Sequence, residues 1–275
     1  MRLIRSPRCR AVLIAAAAAL CLPAGPAFAE DDPDASDSGA PVRTRIGLGP
    51  NIYPSYPGSD SFDVGPLIEF ERARGSELFD FEAPDDSFGF SLIDAGGFSF
   101  GPVVSWEGVR TADDVGAALP KVKFSIEPGA FAALDLASNF RLRAEVRKGV
   151  TGHKGWIGTA GGDFIVRDGD NWLFSIGPRV TWSNNRYQDV WFGVAPADVV
   201  ASGLPAYDPG GGIQAYGATA SFLTQFGPRW GIYTYAKYDR LVGDAAESPI
   251  VRQLGSRDQF SGGLALTYVL GRGGD

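Results

Sequence analysis

Three consecutive stretches, FRLRAEVRKGV at 140–150, WIGTAGGDFIVR at 156–167 and WLFSIGPRVTW at 172–182, are separated only by TGHKG and the short polar run DGDN. The first puts Phe140, Leu142, Ala144, Val146 and Val150 on one face, interrupted by Lys148, and Arg141, Arg143, Glu145 and Arg147 on the other. The third puts Trp172, Phe174, Ile176, Pro178, Val180 and Trp182 on one face and Ser175, Gly177, Arg179 and Thr181 opposite. A period of two means strand, because successive side chains point to opposite faces. An apolar face with aromatics at both ends, backed by a charged or small face, fits a transmembrane β-barrel with lipid outside and a polar lumen. On this stretch alone, a half-buried strand of a soluble sandwich fits as well.

No stretch after residue 30 approaches the 18 apolar residues of a helical span, and a barrel would not show one. Strands are predicted at 43–53, 61–73, 77–83, 87–94, 97–108, 120–134, 139–150, 156–167, 171–194, 212–226, 230–241 and 257–270, with no helical periodicity between them. Prolines at Pro50, Pro66, Pro102, Pro128 and Pro178 predict bends or bulges, since proline cannot donate to a ladder. Alternate connections are short, at Arg74-Gly75, Asp94 to Gly97, Asp135 to Asn139, Asp168 to Asn171 and Gly227 to Arg229. The others are longer, at 54–60, 109–119, 195–211 and 242–256, with exceptions at 84–86 and 151–155. Short periplasmic turns opposite long external loops are the outer-membrane pattern, and a soluble sandwich has no reason to sort its loops this way. The ten residues from Trp172 to Trp182 run about 33 Å along a strand and rise about 25 Å at a tilt of roughly 40°. That is the height of the apolar band. The expected fold is therefore an all-β, antiparallel transmembrane β-barrel over 43–275, with 12 strands (10 if the weak pair at 77–94 is not formed) and periplasmic termini.

The first 29 residues read as a secretory signal peptide: Arg2, Arg5, Arg8 and Arg10, then an apolar core from Ala11 to Leu22, then Ala27-Phe28-Ala29 with cleavage expected after Ala29. Removing them subtracts four arginines and no acids, leaving 21 basic against 32 acidic side chains and a net charge of about −11. That balance argues against nucleic acid as a partner. Both cysteines, Cys9 and Cys21, lie in the signal, so the mature chain is cysteine-free. Residues 30–42, EDDPDASDSGAPV, predict a disordered acidic segment.

Three segments resemble the outer-membrane family named for MltA-interacting protein and OmpV (MipA/OmpV): GLGPNIYPSYPGSD at 47–60, WFGVAPADVVASGLPAYDPGGG at 191–212 and YDRLVGDAAESPIV at 238–251. The last carries the most specific signature, with Arg240, Gly243, Asp244, Ser248 and Pro249, and the resemblance covers about residues 43–270. It implies an outer-membrane barrel in contact with outer-membrane lipid. One member of the family is regarded as a scaffold joining a murein hydrolase to a murein synthase, and others are linked to adhesion or antibiotic response. The chain departs from the usual aromatic C-terminus of such barrels, because Tyr268-Val269-Leu270 is followed by Gly271 to Asp275.

Little in the chain points to catalysis. His153, the mature chain's one histidine, is expected at a solvated loop tip. The pairs Asp85-Asp86 and Asp113-Asp114 are expected to solvate loops, and one histidine without cysteine gives no transition-metal set. No enzyme, cofactor or metal site is predicted. Arg141, Arg143, Glu145, Arg147, Arg179, Lys237 and Asp239 are expected to face the lumen, with Lys121, Lys123, Glu127, Glu69 and Glu71 as possible neighbours. Such a cluster either plugs a narrow barrel with an ionic network or guides anions through it, and the mixed signs favour the network. The expected function is an envelope structural or scaffolding protein. The alternatives are a narrow channel for small anionic solutes and an outer-membrane hydrolase.

Overall fold

The computed structural model describes residues 10–11 and 40–271. The signal peptide and the acidic segment, expected over 1–29 and 30–42, fall almost wholly outside the described residues, as does the tail after Gly271. The described chain is one antiparallel sheet that curls on itself. Its strands are β1 (Val42–Pro54), β2 (Phe62–Arg74), two short pieces β3 (Phe88–Gly89) and β4 (Ile93–Ala95), β5 (Phe98–Glu107), β6 (Ser125–Ala137), β7 (Phe140–Lys148), β8 (Trp156–Asp168), β9 (Trp172–Ser183), β10 (Gly212–Gln225), β11 (Trp230–Leu241) and β12 (Asp258–Leu270). The order runs β2-β1-β12-β11-β10-β9-β8-β7-β6-β5, with β3 and β4 both on the outer edge of β5. Arg10–Ala11 adds a two-residue parallel pairing to β2 at Asp63 and Val64.

Alternation decides which side of this sheet meets what. Ile46, Leu48, Ile68, Phe70, Leu142, Val146, Phe174, Ile176, Leu264 and Leu266 point outward and are exposed. A continuous apolar belt of this kind has no place in water and matches the hydrocarbon of a bilayer. Aromatics rim the belt. At the end of the short turns, Trp230 meets Tyr268 at 4.6 Å and Phe140 meets Phe164 at 5.0 Å. At the other end Tyr238 meets Phe260 at 5.0 Å, beside exposed Trp106, Trp156 and Trp182. The prolines interrupt the ladder where expected of non-donors: β8 and β9 are unpaired at Gly177-Pro178, and β3 and β4 are separated opposite Pro102.

Four expectations change. Residues 77–83 form no strand; they turn inward and run through the lumen, because their side chains and carbonyls find stronger partners there. Between β3 and β4, Leu92 N–H donates to the Phe100 carbonyl at 2.8 Å, so residues 88–95 form one bulged edge strand. Among the described residues the wall thus holds ten long strands and this broken eleventh, against the 12 or 10 expected, with a seam beside β2 that is paired only at Asp63 and Val64. The strand expected over 171–194 stops at Ser183, where Asn184 caps a helix, Asn185–Phe192, by accepting the Tyr187 N–H at 3.1 Å. Val199–Ser202 forms a further short helix in the same connection, and Ala112–Val115 and Gly243–Glu247 lie in two other long ones, so helical structure is present where none was expected. The strand expected from 120 begins at Ser125, leaving Lys121 and Lys123 exposed in a loop and away from the lumen.

Candidate functional site: a strapped lumen and a packed cap

The lumen wall carries its charges on neighbouring strands. β7 supplies Arg141, Arg143, Glu145 and Arg147; β6 supplies Glu127, β8 Asp163, β9 Arg179, and β11 Lys237 and Asp239. Alternation turns all of them away from lipid, and a charge in so narrow a space must pair. Within the wall, Arg179 Nη2 donates to Asp163 at 2.7 Å, Arg147 Nε to Glu127 at 3.0 Å and Lys237 reaches Asp239 at 3.2 Å, while Arg147 also pairs with Glu145.

The remaining partners come from the inward segment 77–87, a strap across the lumen. Asp85 meets Arg179 at 3.0 Å and Lys237 at 3.1 Å, and accepts from Thr219 at 3.2 Å. Asp86 meets Arg141 at 3.0 Å and Arg143 at 3.2 Å. Ser87 donates to Glu145 at 2.7 Å and accepts from Arg147 at 3.0 Å. The Asp85-Asp86 pair, expected to solvate a loop, therefore sits against the wall, because each carboxylate bridges two of its cations.

Nearer the short turns the strap is anchored by rings. Phe79 is buried beneath Arg43 and Arg45, whose guanidinium carbons lie 4.9 and 4.4 Å from its centroid. Its carbonyl accepts from Arg167 at 2.8 Å, and its N–H donates to Asp170 at 3.1 Å. Phe81 packs on the lumen-facing core of Leu67, Ile165, Leu173, Leu223 and Tyr233. The free space beside Asp85, Asp86, Arg143 and Arg179 is about 20 Å³, room for no more than a water. A cavity of about 400 Å³ remains next to the strap, lined by Asp80, Glu82, Phe90, Asp94 and Asp135.

The long connections close the opposite mouth with an apolar core. Tyr56, Val115, Leu119, Tyr187, Trp191, Phe192, Leu204, Ile250 and Val251 are buried together in it. Arg110 donates to the Trp191 carbonyl at 2.5 Å and lies over the Trp191 ring. Burial pushes the Tyr56 hydroxyl up to about 12 against the pull of Arg110. His153 is fully buried, not at a solvated tip. Its Nδ1 accepts the Gly155 N–H at 2.9 Å, so Nε2 carries the proton and donates to Glu127 at 2.7 Å. The Tyr187 ring meets its imidazole edge-on at 4.7 Å. His153 thus joins cap to wall, because glycines 149, 152 and 155 let the loop fold over it; no pattern of the sequence marked that pairing.

The residues singled out by resemblance build the cap. Gly243, at φ +54°, opens the helix Gly243–Glu247. Asp244 accepts the Gly210 N–H at 2.6 Å through its side chain and the Tyr207 hydroxyl at 2.9 Å through its carbonyl. Ser248, fully buried, donates to the Phe192 carbonyl at 2.7 Å and accepts the Ile250 N–H at 3.2 Å. Pro249 leads into the turn Ile250–Leu254. Arg240 lies outside, paired with Asp258 at 2.6 Å. The first resembling segment enters the same cap through Tyr56 and through Gly58, whose N–H donates to Gln259 at 2.9 Å.

Among solved structures, the chain is similar to a KdgM porin at 9% identity, over 83% of this chain and 98% of that one, with a TM-score of 0.35. It is also similar to an outer membrane channel from Pseudomonas putida F1 at 11% identity, over 88% and 100% of the two chains, with a TM-score of 0.40. The fold rests on the strands described above and not on these distant likenesses. No curated protein sequence matches the chain. The model of a family described as MltA-interacting protein MipA matches residues 46–270, and the chain belongs to that family.

Proposed function

We propose that this outer-membrane β-barrel is a closed structural and scaffolding protein of the cell envelope, holding a murein hydrolase, and with it a murein synthase, at the inner surface of the membrane. The observation that carries this reading is the double closure. The strap crosses the lumen with Asp85 and Asp86 paired to Arg141, Arg143, Arg179 and Lys237, and the cap covers the far mouth. A barrel closed twice over in its resting state is suited to presenting surfaces more than to passing solutes. The family's own description supplies the hydrolase as partner. The short turns at Arg74–Glu77, Asp135–Asn139, Asp168–Asn171 and Gln225–Arg229 give the periplasmic surface such a partner would meet. Protein solubilised in mild detergent should co-purify with a murein hydrolase, and charge reversal at the exposed Asp168 should weaken that capture. Recovery of outer-membrane bystanders alone would end the scaffold reading.

A further inference from the structure

The seam in the wall sets a physical problem. Among the described residues, the outer edge of β2 pairs only at Asp63 and Val64, and no ladder joins it to β3 or β4. Unpaired backbone groups facing hydrocarbon cost several kcal/mol each, and bacterial barrels close with an even number of strands. Eleven strands line this wall, so the gap calls for one more.

We propose that residues 77–83 are the missing strand, held off the wall, and that they exchange between the lumen and the seam, opening a passage for small ions. The turn that would start the strand is already made. Glu77 N–H donates to the Arg74 carbonyl at 2.9 Å, and Gly75 supplies the left-handed backbone at φ +52° that a two-residue hairpin needs. Continuing that register sets Leu78 opposite Ala73, Asp80 opposite Glu71, Phe81 opposite Phe70, Glu82 opposite Glu69 and Ala83 opposite Ile68. Directly opposed residues share a face. Ile68 and Phe70 are 66% and 45% exposed on the lipid side, while Ala73 is buried on the lumen side. The hairpin therefore sends Phe81 and Ala83 to lipid and Asp80 and Glu82 to the lumen, the alternation a barrel wall requires. On the far side of the seam, residues 88–95 offer a second free edge, with Phe88, Phe90 and Leu92 already exposed.

The same register explains why the strand is off the wall in this state. It opposes Asp80 to Glu71 and Glu82 to Glu69, and like charges directly opposite each other destabilise a ladder. In the lumen, the strap gains the pairs of Asp85 and Asp86 instead. Each state satisfies what the other leaves unpaired, so modest changes shift the balance. Docking in the seam withdraws Phe79 and Phe81 from the lumen and strips Asp85 and Asp86 from Arg141, Arg143, Arg179 and Lys237. Glu145, Asp163 and Asp239 stay on the wall beside those cations and Asp80 and Glu82 join them, so the wetted lumen carries both signs and suits small ions more than apolar solutes. This inference does not depend on the scaffold reading: partner capture and strand exchange are read separately and fail separately.

The cysteine-free mature chain makes the test direct. Phe70→Cys with Phe81→Cys should form a disulfide in a minor fraction of the membrane-inserted protein. Adding Asp80→Asn and Glu82→Gln, which remove the like-charge opposition, should raise that fraction several-fold. In planar bilayers, the cross-linked protein should give stable conductance steps, and the uncross-linked protein only rare and brief ones. Ile68→Cys with Ala83→Cys reports the same register should the first pair fail to fold, as judged by heat-modifiable gel mobility. Absence of both cross-links in folded protein, or a cross-linked barrel that stays silent, would overturn the proposal.

Discussion

The cap and the strap both close the barrel, but with different materials. The cap buries Tyr187, Trp191, Phe192, Ile250 and Val251 against one another, and its hydrogen bonds fix backbone around that core. The strap buries one ring fully, Phe79, and otherwise relies on carboxylates against cations. Apolar burial is lost outright when a segment opens to water, at about 25 cal/mol per Å². Ion pairs trade partners with water at little net cost when both charges regain solvent, and are costly to break only when one charge stays buried alone. The cap is thus a fixed closure and the strap a removable one.

The largest effect expected of that difference is in the cap. Trp191→Ala should cost about 3–5 kcal/mol, the usual penalty for deleting a buried aromatic, and it removes the ring under Arg110. Limited proteolysis should then cut within 184–211 while gel mobility shows the wall intact. A cap that resists protease in this variant would mean that hydrogen bonds, not the core, hold it. Next comes Asp85→Ala, which takes the shared carboxylate from Arg179 and Lys237. The loss should be about 2–3 kcal/mol of strap docking, the scale of charge-assisted hydrogen bonds. Hydrogen exchange should rise at 77–87 and stay unchanged in the cap; equal loosening of both would erase the contrast.

The contrast also marks what could be read from residues alone. The wall was legible because lipid and lumen impose opposite demands on alternate side chains, and Phe140–Trp182 meets both. The strap was not, because Leu78 to Glu82 alternates just as a wall strand does. Nothing within 77–83 records that Asp85 and Asp86 lie against Arg179 and Arg141, since that depends on strands 55 to 94 residues away. In the cap the signal was present but read as strand or loop. Tyr187, Gln188, Trp191 and Phe192 recur at helical spacing after a capping asparagine, and so many large apolar side chains in one connection mark a core. His153 gave no such warning: its burial depends on Glu127 and Tyr187, distant in sequence.

Two smaller effects separate structure from recognition within the signature loop. Ser248→Ala removes a hydroxyl that satisfies both the Phe192 carbonyl and the Ile250 N–H. About 1–2 kcal/mol of cap stability should go with it, seen as a lower melting temperature of the cap by differential protease resistance. An unchanged cap would mean that water or a rearranged turn replaces the hydroxyl.

Arg240→Ala should do least. Arg240 pairs with Asp258 at 2.6 Å, but both side chains are about half exposed, and solvent screens such a pair. Melting and protease resistance should match the parent barrel. That makes Arg240 the informative member of the signature, because Gly243, Asp244 and Ser248 are accounted for by the fold of the cap and Arg240 is not. Binding to whole cells or to envelope extracts, compared between the parent and Arg240→Ala at equal barrel content, reads recognition with stability held constant. Equal binding would leave the signature as a folding motif throughout. Weaker binding with an intact cap would place a recognition surface at the barrel's external rim, on the side away from the strap.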